Sequence, residues 1–172
     1  MPILNQLISA DAPTFRQVMR RFATGVTLLT TRESDHVHGM TANSFTSVSL
    51  DPLLALVCIK KNNATHQHVA QTKIFAINIL SAAHIEIAKR FAHQVPQPPD
   101  PFFDLAYHSA ATGAPILDDC IAYLDCRVVA AHSAGDHTIF IGEVHALGFG
   151  TARAARPLIW LDGKYVSLSE SQ

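Results

Sequence analysis

Residues 38–52 read HGMTANSFTSVSLDP, and the fold turns on how this stretch is understood. It carries five hydroxyls, on Thr41, Ser44, Thr46, Ser47 and Ser49, and one amide, Asn43, with Asp51 its single formal charge. It lies between two β-like apolar runs, residues 26–30 and 53–59. A solvent loop carries more charge and a core strand fewer hydroxyls. Small uncharged side chains with many hydrogen-bonding groups suit a wall along which backbone and hydroxyls approach a flat polar ligand.

On the N-terminal side, Asp11 and Pro13 form the cap and first turn of a helix. Phe15, Val18, Met19 and Phe22 fall at i, i+3, i+4, i+7 spacing with Arg16, Arg20 and Arg21 off the stripe, and Gly25 is the stop. A strand over residues 26–31, a polar turn at 33–36 and a strand over 37–44 make a hairpin. On the C-terminal side Pro52 opens a third strand, 53–59, whose unbroken apolar run predicts burial on both faces. Lys60-Lys61-Asn62-Asn63 breaks it, and Asn63 caps a short helix over 64–71. A strand over 75–80 follows, then a helix from Ser81 to Phe91 with Ile85, Ala88 and Phe91 on one face. PQPPDP at 96–101 is a loop. The last third is β: a strand over 122–132, a turn at 133–136, an antiparallel return over 137–147, and a hairpin (158–161 with 164–168) about Asp162-Gly163. Six or seven strands, three short helices and no βαβ alternation predict a mainly β chain with short helices, folded as an antiparallel barrel. No repeat or linker divides it, so residues 1–172 are expected to be a single domain.

Hydrophobic residues make up 48% of the 172 and charged residues 16%, against roughly 25% charged in ordinary soluble domains; mean hydropathy is +0.17. Such a surface belongs to a well-filled β core or to an oligomer that hides part of it. A net charge of −1 gives no argument for nucleic acid or an anionic membrane. Protonating all ten histidines would move the formal charge from −1 to +9, so solubility should respond to pH near about 6.5. Three cysteines without a C-x-x-C pair argue against a secreted disulfide scaffold. MPILNQLISADAP lacks the marks of a signal peptide, and no apolar run approaches the ~18 residues of a membrane span. A soluble, cytoplasmic protein is expected.

There is no G-x-G-x-x-G, P-loop, H-E-x-x-H or G-x-S-x-G. His36/His38 and His66/His68 are H-x-H pairs. On a strand i and i+2 share a face; on a helix they diverge by about 200°. No acidic or cysteine partner is spaced to complete either pair, so no metal site is expected. The turn after residue 59 offers Lys60, Lys61, a helix N-terminus near Asn63 and the Thr65 hydroxyl. These groups attract an anion, or form an ordinary strand–helix turn with solvated lysines.

Together with GDHTIFIGEV at 135–144, the opening stretch resembles the flavin reductase family, which has the split-barrel FMN-binding fold. The resemblance runs from Phe15 (FRQVMRRFATGVTLLTT) to Tyr165 and includes Arg90-Phe91-Ala92. It implies an antiparallel split β-barrel of Greek-key type. It also implies hydride transfer from NADH or NADPH to FMN or FAD, with reduced flavin passed to a separate monooxygenase, and a homodimer with its flavin sites at the interface. Carried over residue by residue, it makes Thr41, Ala42, Asn43 and Ser44 the wall for the flavin ring, with Ser44 beside N5 and Cys58 and Ile59 alongside. Lys60 and Thr65 meet the phosphate and Phe91 borders the flavin. His137 lies by the nicotinamide, where it would place the dihydropyridine rather than abstract a proton, with Tyr165 a further contact there. Such chemistry needs no protein nucleophile, only donors where negative charge develops. Two alternatives stand beside it: a split-barrel flavoprotein that keeps its FMN and reduces another substrate such as a corrinoid, and a flavin- or haem-binding barrel without turnover.

Overall fold

The structure is a computed structural model, and it describes residues 10–168; most of the segment read above for a signal peptide lies outside them. Helix α1 (Ala12–Met19) starts where the Asp11 carboxylate accepts the Thr14 N–H at 2.9 Å. There follow β1 (Thr24–Gly25), β2 (Thr27–Glu33), β3 (His36–Ala42), β4 (Phe45–Leu50), β5 (Leu53–Lys60) and α2 (Ala64–Thr72). Next come β6 (Ile74–Ile79), a 3-10 turn (Ala82–His84) running into α3 (Ile85–Phe91), β7 (Tyr107–Ser109) and β8 (Pro115–Leu117). The chain closes with β9 (Ala122–Ala134), β10 (His137–Phe149), β11 (Leu158–Leu161) and β12 (Lys164–Ser167).

Seven strands form one antiparallel sheet in the order β3-β2-β6-β9-β10-β5-β4. Its two end strands, β3 and β4, are consecutive in the chain and separated only by Asn43 and Ser44. Three Cα steps reach at most about 11 Å, so the sheet has to roll until its edges face each other. Ser44 fastens the turn on the far side: its carbonyl accepts the Cys58 N–H at 3.1 Å and its hydroxyl donates to the Cys58 carbonyl at 2.7 Å. β3 and β4 do not pair with one another, and the barrel stays split along that seam. The stretch that opened the sequence reading is the seam. Its second half is no wall but an edge strand, β4, bonded to β5 with a bulge between Ser47 and Ser49.

Inside the roll, Leu29, Val57, Ile59, Phe75, Ile77 and Phe140 pack with Val69 of α2. Over the outer face of β2, Val26, Leu28, Leu80, Phe91 and Leu158 make a second core under α3 and the β11–β12 hairpin. The strands buried on both faces include β2, from Thr27 to Thr31, and β6, from Phe75 to Asn78, and the expectation of double burial for residues 53–59 is corrected. In β5, Ala55, Val57 and Ile59 are buried while Leu54, Leu56 and Cys58 are half-exposed. β5 lies one strand from the open edge, and among the described residues no layer buries its outer face. The threonines of β2 disguised it in the sequence; the Thr27 hydroxyl donates to the Ala42 carbonyl and that of Thr31 to the Ile74 carbonyl, each at 2.8 Å.

Gly142, inside the GDHTIFIGEV stretch, is set by packing. A Cβ there would lie 2.6 Å from Phe75 Cζ and 2.9 Å from Cys126 Cβ, so the Phe75 ring rests directly on bare β10 backbone. The small sheets β1-β11-β12 and β7-β8 complete the fold; β1, β7 and β8 are too short to show a period in the sequence. Among the described residues, no helix is long and apolar enough to cross a membrane.

Candidate functional site

Alternation along β3 puts Val37, Gly39 and Thr41 on one face, and Asn43 continues the row. Three cavities follow it. The first, about 770 Å³, is lined by Val37, Gly39, Lys60, Asn63, Thr65 and Phe91 among others. The second, about 200 Å³, is lined by Thr41, Asn43, Gln94, Trp160 and Tyr165 with Val26 and Ala92. The third, about 850 Å³, takes in Asn43, Ser44, Thr46 and the inner side of α1.

The first cavity lies where β5 hands over to α2. Asn63 Oδ1 accepts the Thr65 N–H at 2.8 Å, the cap read from sequence. The Thr65 hydroxyl donates to the Gly39 carbonyl at 3.3 Å and ties α2 to β3. Of the two lysines, Lys61 is spoken for, since its ammonium donates to Ser133 Oγ at 2.8 Å and the Gly135 carbonyl at 2.6 Å. Lys60 is left to face the cavity. Gly39 lets aromatics close on the strand: a Cβ would stand 3.0 Å from both Phe102 Cζ and Phe91 Cε1. Phe91 is thus a core residue and a cavity wall at once, its ring edge-on to Phe102 at 4.8 Å. The proline-rich loop is held by Arg90, which donates to Asp104 through Nη1 and Nη2 and to the Pro101 carbonyl through Nη1 at 2.9 Å. That pairing holds the Asp104 carboxyl below its ordinary range.

In the second cavity the Thr41 hydroxyl donates to the Ala88 carbonyl at 2.6 Å, joining β3 to α3. The Tyr165 ring stands edge-on to Trp160 at 4.9 Å, and burial raises its phenol pKa against a hydrogen bond with Gln94. Sequence reasoning missed Trp160. The signal was available: a two-residue turn at Asp162-Gly163 fixes Trp160 opposite Tyr165. In the third cavity, Asn43 Nδ2 donates to Thr24 Oγ1 at 3.2 Å. α1 roofs this end with no buried residue of its own, and Phe15, Val18 and Phe22 are 66%, 61% and 66% exposed.

The remaining expected residues are placed differently. The Ala42 and Ile59 side chains point into the barrel core, so only their backbone borders the wall. Cys58 is half-buried beside Ser44, and burial raises its thiol pKa, keeping it protonated and apolar at neutral pH. His137 opens β10 opposite Lys60 of β5 and lines none of the three cavities. Its Nδ1 lies 2.7 Å from Asp136 Oδ1. The hydrogen bond from His137 holds the Asp136 carboxyl below its usual range; Nδ1–H is then the donor and Nε2 is the outward nitrogen.

The histidine pairs also sort differently from the sequence. His66 and His68 diverge on α2 as expected, His66 Nε2 meeting Thr138 Oγ1 at 2.8 Å. His68, however, stacks on His38 of β3 with ring centroids 3.4 Å apart, and its Nδ1 lies 2.6 Å from Glu33 Oε2. The acidic partner that sequence spacing did not supply comes from β2.

Residues 19–169 match the family described as flavin reductase like domain. An NADH-dependent flavin reductase from a Rhodococcus species is 38% identical over 156 residues, covering 89% of this chain and 84% of that protein. The reductase subunit of a flavin-dependent monooxygenase from Mycobacterium tuberculosis is 33% identical over 158 residues, covering 92% and 83%. Among solved structures, the NADH:FAD oxidoreductase of Streptomyces globisporus superposes with a TM-score of 0.87 at 32% identity, covering 97% of this chain and 99% of that one.

Proposed function

The chain belongs to the family of flavin reductase like domains, and we propose that it uses NADH to reduce FMN or FAD and gives up the reduced flavin to a separate oxygenase. The observation that carries this is the graded row along β3. One end offers Lys60 and a capped helix N-terminus, which suit a phosphate. The other offers uncharged amide and hydroxyl groups at Asn43, Ser44 and Thr46, which suit a flat polar ring. The donor set fits a flavin mononucleotide unit in kind and in order. When bound, flavin supplies the hydride acceptor and NADH the hydride. The protein's part is to hold the phosphate at Lys60 and Thr65, to set the ring against Thr41–Ser44 backbone, and to exclude water with Phe91 and Tyr165. Ser44, whose hydroxyl hydrogen is engaged by Cys58, meets the ring with its oxygen or its backbone. His137, with Nε2 outward, orients the dihydropyridine and needs no proton of its own.

The reading includes a homodimer whose second chain covers α1 and completes each site. The exposed apolar side chains of α1 and the place of His137 outside the three cavities described above both support it. NADH as donor and a monooxygenase partner are supported by the relatives that carry those descriptions. Anaerobic stopped-flow at about 340 and 450 nm tests the activity. NADH and added flavin should bleach together; absorbance that holds steady at both wavelengths rejects the reductase reading.

A further inference from the structure

Glu33, His38 and His68 are drawn from β2, β3 and α2, and no motif links them. Cross-strand pairing sets Thr31 opposite His38 and Glu33 opposite His36, so Glu33 and His38 share the face of the hairpin on which α2 packs. α2 is pinned there by Thr72, whose hydroxyl lies 3.1 Å from that of Thr31 and donates to the His68 carbonyl at 2.8 Å. One ligating atom from each of Glu33, His38 and His68 lies within 4.8 Å of the other two. We propose that these three residues form a binding site for a first-row divalent cation, zinc foremost.

The chemistry of the donors agrees. Two imidazoles and one carboxylate are a ligand set that Zn²⁺ and its neighbours accept, with a fourth position left to water. The carboxylate is already aimed: its other oxygen, Oε1, accepts from Gln71 Nε2 at 2.6 Å, the kind of outer hydrogen bond that orients metal ligands. Oε2 is thereby turned to His68 Nδ1, 2.6 Å away. The three groups are half-buried, open enough for a cation to enter and sheltered enough to hold it. The rings are stacked 11° from parallel, so binding requires them to swing out of the stack until both in-plane lone pairs converge on one ion. The site lies on the α2 face of β3, opposite Val37, Gly39 and Thr41; of its three residues His38 also lines the first cavity, and the ligand set does not depend on the reductase reading.

The test uses the whole tag-free chain, dialysed against chelator. Zinc titrated by calorimetry should bind with one tight equivalent per chain, and Co²⁺ in its place should give visible d–d absorption. His38→Ala and His68→Ala should each weaken that equivalent by more than the ~10–100-fold that loss of an outer-shell partner costs; His108→Ala, at an exposed ring on β7, should not. In case either variant folds poorly, the unmutated protein gives a second reading: zinc should shift the NMR ring signals of His38 and His68 before those of His108 and His145. Absence of a tight equivalent overturns the site. So does uptake that survives both substitutions, or first shifts at the other rings alone.

Discussion

At the scale of the residue, Lys60 and His137 are neighbours across the β5–β10 pairing with different proposed tasks, and substitution should separate them. His137→Ala is expected to slow bound-flavin reduction by up to the 10²–10³-fold typical of a contact made in the transition state, about 2.7–4 kcal/mol, with flavin affinity little changed. Lys60→Ala should do the reverse, weakening flavin binding and leaving the rate at saturating flavin nearly intact. Single-turnover kinetics over a range of flavin concentrations reads both quantities, and a His137 variant that loses affinity but reduces bound flavin normally would reverse the assignment. The sequence offered Lys60 and Lys61 as equals; only the fold shows that Lys61 is committed to the β9–β10 turn. It likewise could not show Glu33 beside His68, because 35 residues separate them in the chain.

At the scale of the element, local chemistry was legible where a side chain bonds its own backbone or a turn fixes a register. Asp11 and Asn63 cap α1 and α2 as read, and Asp162-Gly163 makes the last hairpin. Asn63→Ala should therefore cost about 0.5–2 kcal/mol and lower the melting temperature by a few degrees for a chain of this size, while also weakening flavin, since the cap shapes the first cavity; calorimetry with and without flavin distinguishes the two losses. Elements defined by tertiary position were not legible. β4 hides in a hydroxyl-rich run because it is an edge strand with solvated side chains, and β2 hides its double burial behind threonines that bond carbonyls. Gly142 belongs to the same class. It sits in the stretch that marks the family, yet its neighbours here are Phe75 and Cys126. Gly142→Ala should destabilise by about 1–3 kcal/mol through overpacking, seen as an earlier denaturation midpoint, with the ratio of flavin affinity to hydride rate unchanged in the fraction that stays folded.

At the scale of the whole molecule, the decisive feature is a connection of two residues between the end strands of a seven-stranded sheet. It compels the roll and leaves the seam unpaired, with the three cavities following the β3 side of it. What remains open is the far end, where Phe15, Val18 and Met19 of α1 and the following Phe22 are exposed, with Phe15, Met19 and Phe22 along the third cavity. A second chain on this face would bury more than about 2,000 Å² if the pair is obligate, and light scattering at micromolar concentration should report twice the 18.7 kDa of one chain; a monomer that still binds flavin would dismiss both the pairing and the shared site. The bare helix has a further consequence for output. If each working site takes parts from two chains, flux follows the amount of protein linearly only above the dissociation constant of the pair; well below it, flux rises with the square of concentration. In that dilute range a cell that halves its supply of this reductase would cut the stream of reduced flavin to a quarter, an abundance-dependent throttle that needs no effector molecule.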